Sequence, residues 1–247
     1  PHRGAAAARN AGLRATTGEL VQFLDSDDLL SPDKIARQVE ALEAAGPGCI
    51  ASCAWAPFSS DVSTATVQPQ PVWLVPDPVE WIVTSLSGGG MMQPGAWLTP
   101  RVLIERAGPW NEELSLHDDG EFFTRVLLCA RRNVFVPGVV AYYRQHAGTL
   151  SRRRSPAAAK SAFEVCRLRE RALLASRDDL PARRALATQY AQFAYEFCRT
   201  EPALAASSVA AIRALRAKPE PTVGGRLFRL ATMVLGLSHA LRLRRAA

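Results

Sequence analysis

An apolar run from Glu19 to Asp25 (ELVQFLD) ends in the tetrad Asp25-Ser26-Asp27-Asp28, and an amphipathic stretch begins a few residues later. A buried strand whose carboxyl end delivers acids, followed at once by a helix, is the repeating unit of an open α/β sheet, with the ligand expected beyond the strand's end. The helix start is legible in Ser31, a suitable N-cap, with Pro32 at the first helical position and Asp33 in the first turn. Ile35, Val39 and Leu42 supply one apolar face before Gly46-Pro47 stops the helix. Alternate carboxylates on such a turn can share one divalent cation with a diphosphate, because Mg²⁺ and Mn²⁺ prefer oxygen donors and substrate phosphates. Asp28 also has a plainer use, as a helix cap.

Further along, Ile50 to Phe58 reads as a strand, and Ser59 to Pro78 as a polar, proline-bearing loop long enough to contact an acceptor. Gly88-Gly89-Gly90 breaks the next segment, Met91 to Leu98 carries an apolar pattern, and Val102 to Ala107 is a short helix closed by Gly108. Phe122, Phe123, Val126, Leu127 and Ala130 recur at helical spacing, which puts His117-Asp118-Asp119 at a helix N-terminus. Val134 to Val136 and Val139 to Tyr143 read as strands around a Pro137-Gly138 turn. Ala157 to Ala217 is helical, with breaks near Asp179 to Pro181 and at Glu201-Pro202.

Charge divides the chain in the same place. Residues 1–150 carry a net charge of −5 and residues 151–247 one of +12. We therefore expect a catalytic part, 1–153, and a helical, basic C-terminal extension, 154–247, that either meets an anionic surface or is simply a solvated Arg-rich face. The five cysteines are odd in number and lack CxxC spacing, so neither a disulfide framework nor a zinc site is expected. No leader peptide is legible at Pro1, and arginines and His239 interrupt the most apolar stretch, Leu227 to Leu243. The expected setting is cytoplasmic.

Two more groups can do chemistry. A carboxylate of Asp118 or Asp119 could take the proton of an acceptor hydroxyl as its oxygen attacks; one of the two suffices to cap the helix, which leaves the other for that work. His146, just past Tyr142-Tyr143-Arg144-Gln145, could add a nitrogen ligand to Mn²⁺, and Arg144 could neutralise phosphate.

The pieces Gly4 to Gly12, Gly18 to Asp28, Trp110-Asn111-Glu112, the Asp118-Asp119 helix and Tyr143 through Ser151 resemble, in that order and at similar spacing, the family 2 glycosyltransferases. The resemblance covers about residues 1–151 and implies an α/β, GT-A fold with a Rossmann-like mixed sheet, N-terminally truncated: about 65 to 75 residues of donor site would precede Pro1. It implies an inverting, hexosyltransferase-like, metal-dependent transfer of a sugar from a nucleotide-diphospho-sugar in polysaccharide assembly. The acceptor would be a glycan, a lipid-linked acceptor or a small molecule. Arg9 would lie against the base, Asp25 on the ribose and Asp27 on the Mn²⁺ or Mg²⁺, with His146 completing the metal site in some members. Asp119 would be the catalytic base with Asp118 beside it, and Ser151 would close the last motif.

A metal-dependent phosphohydrolase built on Asp25, Asp27 and Asp119 is the rival enzyme reading, and it lacks a nucleophile motif. A nucleic-acid-binding protein is disfavoured because no known module and no interleaved aromatics accompany the arginines. For the tail, Leu227, Leu230, Val234, Leu235, Leu237 and Leu241 with their neighbouring arginines carry two expectations: packing on the catalytic domain or on a second subunit, which is the plainer one, or peripheral contact with an anionic membrane surface.

Overall fold

The computed structural model describes residues 3–146 and 155–246, which cluster into two units. Residues 3–82, 90–112 and 118–146 form the first, and 83–89, 113–117 and 155–246 the second. In chain order come α1 (Ala5–Ala15), β1 (Leu20–Val21), β2 (Leu29–Leu30), α2 (Lys34–Ala45), β3 (Cys49–Phe58), α3 (Pro78–Thr84), β4 (Thr99–Pro100), α4 (Arg101–Ala107), α5 (Asp118–Cys129) and β5 (Arg132–Arg144).

Strand β3 is the spine of the first unit. Cys49 to Cys53 and Ala56 are almost fully buried, as a strand covered on both faces must be. β5 runs parallel to it, from Arg132 opposite Cys49 to Arg144 opposite Phe58, and β2 pairs antiparallel with the far end of β5, giving the mixed order β2-β5-β3. β1 pairs antiparallel with β4, and a bridge between Ala51 and Leu98, with N–H···O bonds of 3.1 and 2.9 Å, ties this ladder to β3.

Three local expectations change. The Glu19 to Asp25 run is a ladder only at Leu20 and Val21 and continues as extended chain. The Pro137-Gly138 step does not reverse the chain: both halves of β5 pair with β3, and three residues bulge out between the pairs Cys53–Val136 and Ala54–Val140. Gly138, at φ 77°, makes that excursion possible. Ser31 is not the cap of α2, which has Asp33 at that position. Its backbone N–H donates to Val140 O and its hydroxyl accepts from the Val140 N–H at 3.0 Å, so Ser31 prolongs the sheet. The 59–77 loop is anchored midway, since Trp73 is buried and stacks on Phe135 at 5.6 Å.

A lysine lies in this core. Lys34 is 0% exposed, and burial lowers its pKa to about 8. Its Nζ donates to Gln22 Oε1 and to Trp97 O; Gln38 Nε2 donates to Ala96 O at 3.0 Å and Gln22 Nε2 to Gly95 O at 3.1 Å. The carbonyls of 95–97, a stretch with little ladder pairing, are thus held by side chains.

The aromatic half of the core joins α5 to the acid-bearing strand. Trp110 stacks on Phe122 at 4.0 Å, and Phe23 meets both edge-on at 5.1 and 5.6 Å. Asn10 of α1, 3% exposed, fixes Trp110: its Nδ2 donates to Trp110 O at 2.9 Å and to Glu112 Oε1 at 3.0 Å, and its Oδ1 accepts the Trp110 N–H at 2.9 Å.

In the second unit, α6 (Pro156–Ser176) opens the predicted helical segment and α7 (Leu180–Phe197) and α8 (Pro202–Ala214) begin at the two predicted breaks, each with proline in its first turn. Ser155 Oγ and Asp179 Oδ1 cap the first two. Gly236, at φ 78°, separates α9 (Arg226–Leu235) from α10 (Leu237–Ala246). No helix among the described residues is long and apolar enough to cross a membrane.

Replacing Asn10 by alanine leaves the Trp110 N–H and C=O buried without partners. We expect Asn10→Ala to cost about 3 kcal/mol, read as a lower urea midpoint with an unchanged m value.

Candidate functional site

The tetrad after β1 is a tight turn, with the Asp28 N–H donating to Asp25 O at 3.1 Å, so Ser26 and Asp27 stand at its tip. Asp28, 8% exposed, points back into the protein. Its Oδ1 accepts the Arg144 N–H at 2.8 Å, while Arg144 Nε donates to Asp27 O at 2.9 Å and Nη1 to Ser59 O at 2.8 Å. The guanidinium also lies 4.3 Å above Phe58. Asp28 therefore caps no helix, and Arg144, expected to meet phosphate, clamps the turn to the end of β5.

The other two acids of the turn face outward. The Asp25 and Asp27 side chains are both 42% exposed. Asp27 Oδ2 lies 3.4 Å from His146 Nε2, which brings together the two predicted metal ligands from opposite ends of the unit's sequence. Two neighbouring donors of an octahedral ion at about 2.1 Å each stand about 3.0 Å apart, so this oxygen and nitrogen would close by a few tenths of an ångström to share Mn²⁺ or Mg²⁺, with substrate phosphates and water in the remaining positions. Among the described residues, no group of three or more His, Cys, Asp or Glu could hold a metal ion alone.

Arg9 joins the two acidic motifs. From α1 its Nη2 donates to Asp25 Oδ1 at 2.7 Å and its Nη1 to Asp118 Oδ2 at 2.9 Å, and its guanidinium lies 4.5 Å over Trp110. Its side chain is 13% exposed and that of Asp118 is 18%. Burial, then the charge of Asp119, raises the Asp118 pKa to about 6 in spite of Arg9. Burial does the same for Asp28, also to about 6. At the start of α5 the adjacent acids divide the work: Asp118 takes Arg9, and Asp119 Oδ1 accepts the Gly120 N–H at 2.8 Å.

The structure thus brings Arg9, Asp25 and Asp118 into one cluster and Asp27 and His146 into a pair, with Asp119 next to Asp118 on α5. Ser151 lies outside the described residues. Sequence reasoning gave no role to Asn10, Phe23 or Trp110, which form the shelf beneath the cluster. The signal available was a polar residue in an alanine-rich helix and the family piece beginning at Trp110.

Residues 1–98 match the family described as Glycosyl transferase family 2. The matched segment is 98 of the chain's 247 residues. Arg9, Asp25 and Asp27 lie inside the matched segment, whereas Asp118, Asp119 and His146 lie beyond it. The chain is 47% identical over 45 residues to the succinoglycan biosynthesis protein ExoO of Rhizobium meliloti (strain 1021), a stretch that makes up 18% of this chain and 13% of that protein. Its fold resembles S. aureus TarS 1-349 in complex with UDP-GlcNAc, with a TM-score of 0.68 and 16% identity over 98% of this chain and 71% of that one. TarS 1-349 without that ligand gives 0.64 at 16% identity, over 98% and 70% of the two chains. The fold is the GT-A arrangement that the sequence resemblance implied, with a helical C-terminal region.

The raised carboxylates set a pH dependence. A group with its folded pKa above the unfolded value of 3.8 stabilises the fold fully below that value, and the contribution is lost as pH rises through about 6. Asp118→Asn should therefore compare more favourably with wild type at pH 7.5 than at pH 4.5; thermal melts at the two pH values measure the difference, and a difference of opposite sign refutes the assignment.

Proposed function

We propose that the chain is an inverting glycosyltransferase that moves a sugar from a nucleotide-diphospho-sugar to an acceptor hydroxyl in polysaccharide assembly. The observation that carries this reading is the convergence of both acidic motifs on Arg9: Asp25 from the turn after β1 and Asp118 from the start of α5 are bound to one guanidinium. This leaves the donor-side acids and the Asp118-Asp119 pair on one site, as a direct displacement requires. The family match of residues 1–98, the UDP-GlcNAc bound by TarS and the succinoglycan pathway named for ExoO support it.

In this reading Asp25 meets the ribose and Asp27 with His146 holds Mn²⁺ or Mg²⁺, which supplies neutralising charge to the leaving diphosphate. Arg9, spent on two carboxylates, orders the donor side and leaves only its edge for the base. The Asp119 carboxylate takes the acceptor's proton as that oxygen bonds to the anomeric carbon and the bond to the diphosphate breaks, inverting the centre. The acceptor is a glycan, a lipid-linked acceptor or a small molecule. A cytoplasmic setting, with the basic C-terminal part against the inner face of a membrane, completes the proposal.

Titration calorimetry with UDP, GDP and dTDP, with and without Mn²⁺, tests the donor side. Metal-dependent binding of one nucleotide should weaken about tenfold or more in Asp27→Ala. Asp119→Asn should keep that binding and lose about 10²- to 10⁴-fold in sugar transfer. Equal nucleotide binding by wild type and Asp27→Ala overturns the donor assignment, and undiminished transfer by Asp119→Asn overturns that of the base.

A further inference from the structure

Helix α9 is covered on one face and bare on the other. Phe228 packs against Tyr195, with ring centroids 4.7 Å apart, and together with Leu237 it lines the cluster of Ala194, Cys198, Ala205 and Leu241. The opposite face presents Leu227, Leu230, Met233 and Val234, which are 83, 57, 76 and 73% exposed. Leu237 and Leu241, grouped with these in the sequence, turn inward, so the exposed stripe belongs to α9 and includes a methionine that the sequence reading omitted. Four large apolar side chains on one helix face mark an interaction surface rather than scattered exposure.

The charge around the stripe indicates what covers it. Arg226 and Arg229 are exposed on α9, as are Arg242 and Arg245 on α10, and no Asp or Glu occurs after Glu220. Arg244 is used internally, donating to Tyr195 O at 2.9 Å and lying 3.8 Å over the Tyr195 ring. Arginines without an acid along residues 221–247 favour an anionic surface, and apolar side chains beside guanidinium groups suit a helix lying in a bilayer interface. There the apolar groups sink below the headgroups while the arginines stay at the phosphates.

We propose that the exposed face of α9 docks on bilayers containing anionic phospholipid. This deepens the membrane contact in the proposed function and rests on that reading for its cellular setting alone, because docking is measured without catalysis. The full chain is pelleted with sucrose-loaded vesicles of phosphatidylcholine, or of phosphatidylcholine with phosphatidylglycerol, and compared with Leu230→Glu/Val234→Glu and Arg226→Gln/Arg229→Gln. These side chains are exposed, so unchanged thermal melts are expected to accompany the binding data. Wild type should bind the anionic vesicles, weakly bind the neutral ones, and lose affinity in high salt; each double variant should bind the anionic vesicles ~10-fold less. Binding equal to wild type in the Leu230→Glu/Val234→Glu variant, or no binding by wild type, overturns the proposal. Self-association lost in that variant without vesicle binding assigns the face to a second copy and also overturns it. Nucleotide titrations on the same variants should match wild type, which separates failure of docking from failure of the catalytic reading.

Discussion

Arg9 lies between two carboxylates that would otherwise repel each other. Asp25 comes from the strand end and Asp118 from the start of α5, and bringing them to one place in a partly buried setting would be unfavourable without a cation between them. A guanidinium suits the position because it keeps its charge when buried, reaches both acids at once and lays its flat face on Trp110. The dependence is mutual: removing Arg9 leaves two acids unpaired, and removing either acid leaves part of a buried cation uncompensated. Asn10, the next residue of α1, grips Trp110 from both sides of its peptide. A single turn of helix thus fixes the charge and the aromatic surface beneath it.

The acidic turn is held differently. Asp28 takes the backbone N–H of Arg144, and the Arg144 side chain takes the carbonyls of Asp27 and Ser59. One acid and one arginine are consumed in holding the turn, which leaves the side chains of Asp25, bound to Arg9, and of Asp27, at the tip, for the site. The same β5 terminus leads to His146, so the contact that anchors the turn also places the imidazole near Asp27.

These arrangements explain what the sequence could and could not disclose. The acidic turn and the body of α2 are local patterns, and so are the start of α5 and the breaks at Asp179 and Glu201; each is written in neighbouring residues and was legible, whereas only Leu20 and Val21 of the Glu19 to Asp25 run enter a ladder. The partners of long side chains are not local. Arg144 looked like a phosphate ligand because a basic residue beside an acidic site has several uses, and only the sheet pairing of β2 with β5 decides among them. Ser31 looked like a cap for the same reason. Lys34 carried no warning that it would be buried among Gln22, Gln38 and the 95–97 carbonyls, because those groups meet only after α2 packs on the sheet. The family pieces around Asn10 and Trp110 were visible as text a hundred residues apart, without any hint that they are one hydrogen-bonded contact.

The bulge in β5 divides its ladder with β3 into two segments that keep register independently, one from Arg132 to Val136 and one from Val140 to Arg144. Extra or missing residues between them would be absorbed in the excursion, whereas a single insertion inside either segment would move every following side chain to the opposite face of the sheet. The second segment positions Arg144 and, just beyond it, His146. Among related chains, length variation in β5 should therefore collect at the exposed Pro137-Gly138 step, because Val139, 1% exposed, belongs to the core, and a loop grafted at that step would change the surface of the protein without moving the residues that hold the acidic turn.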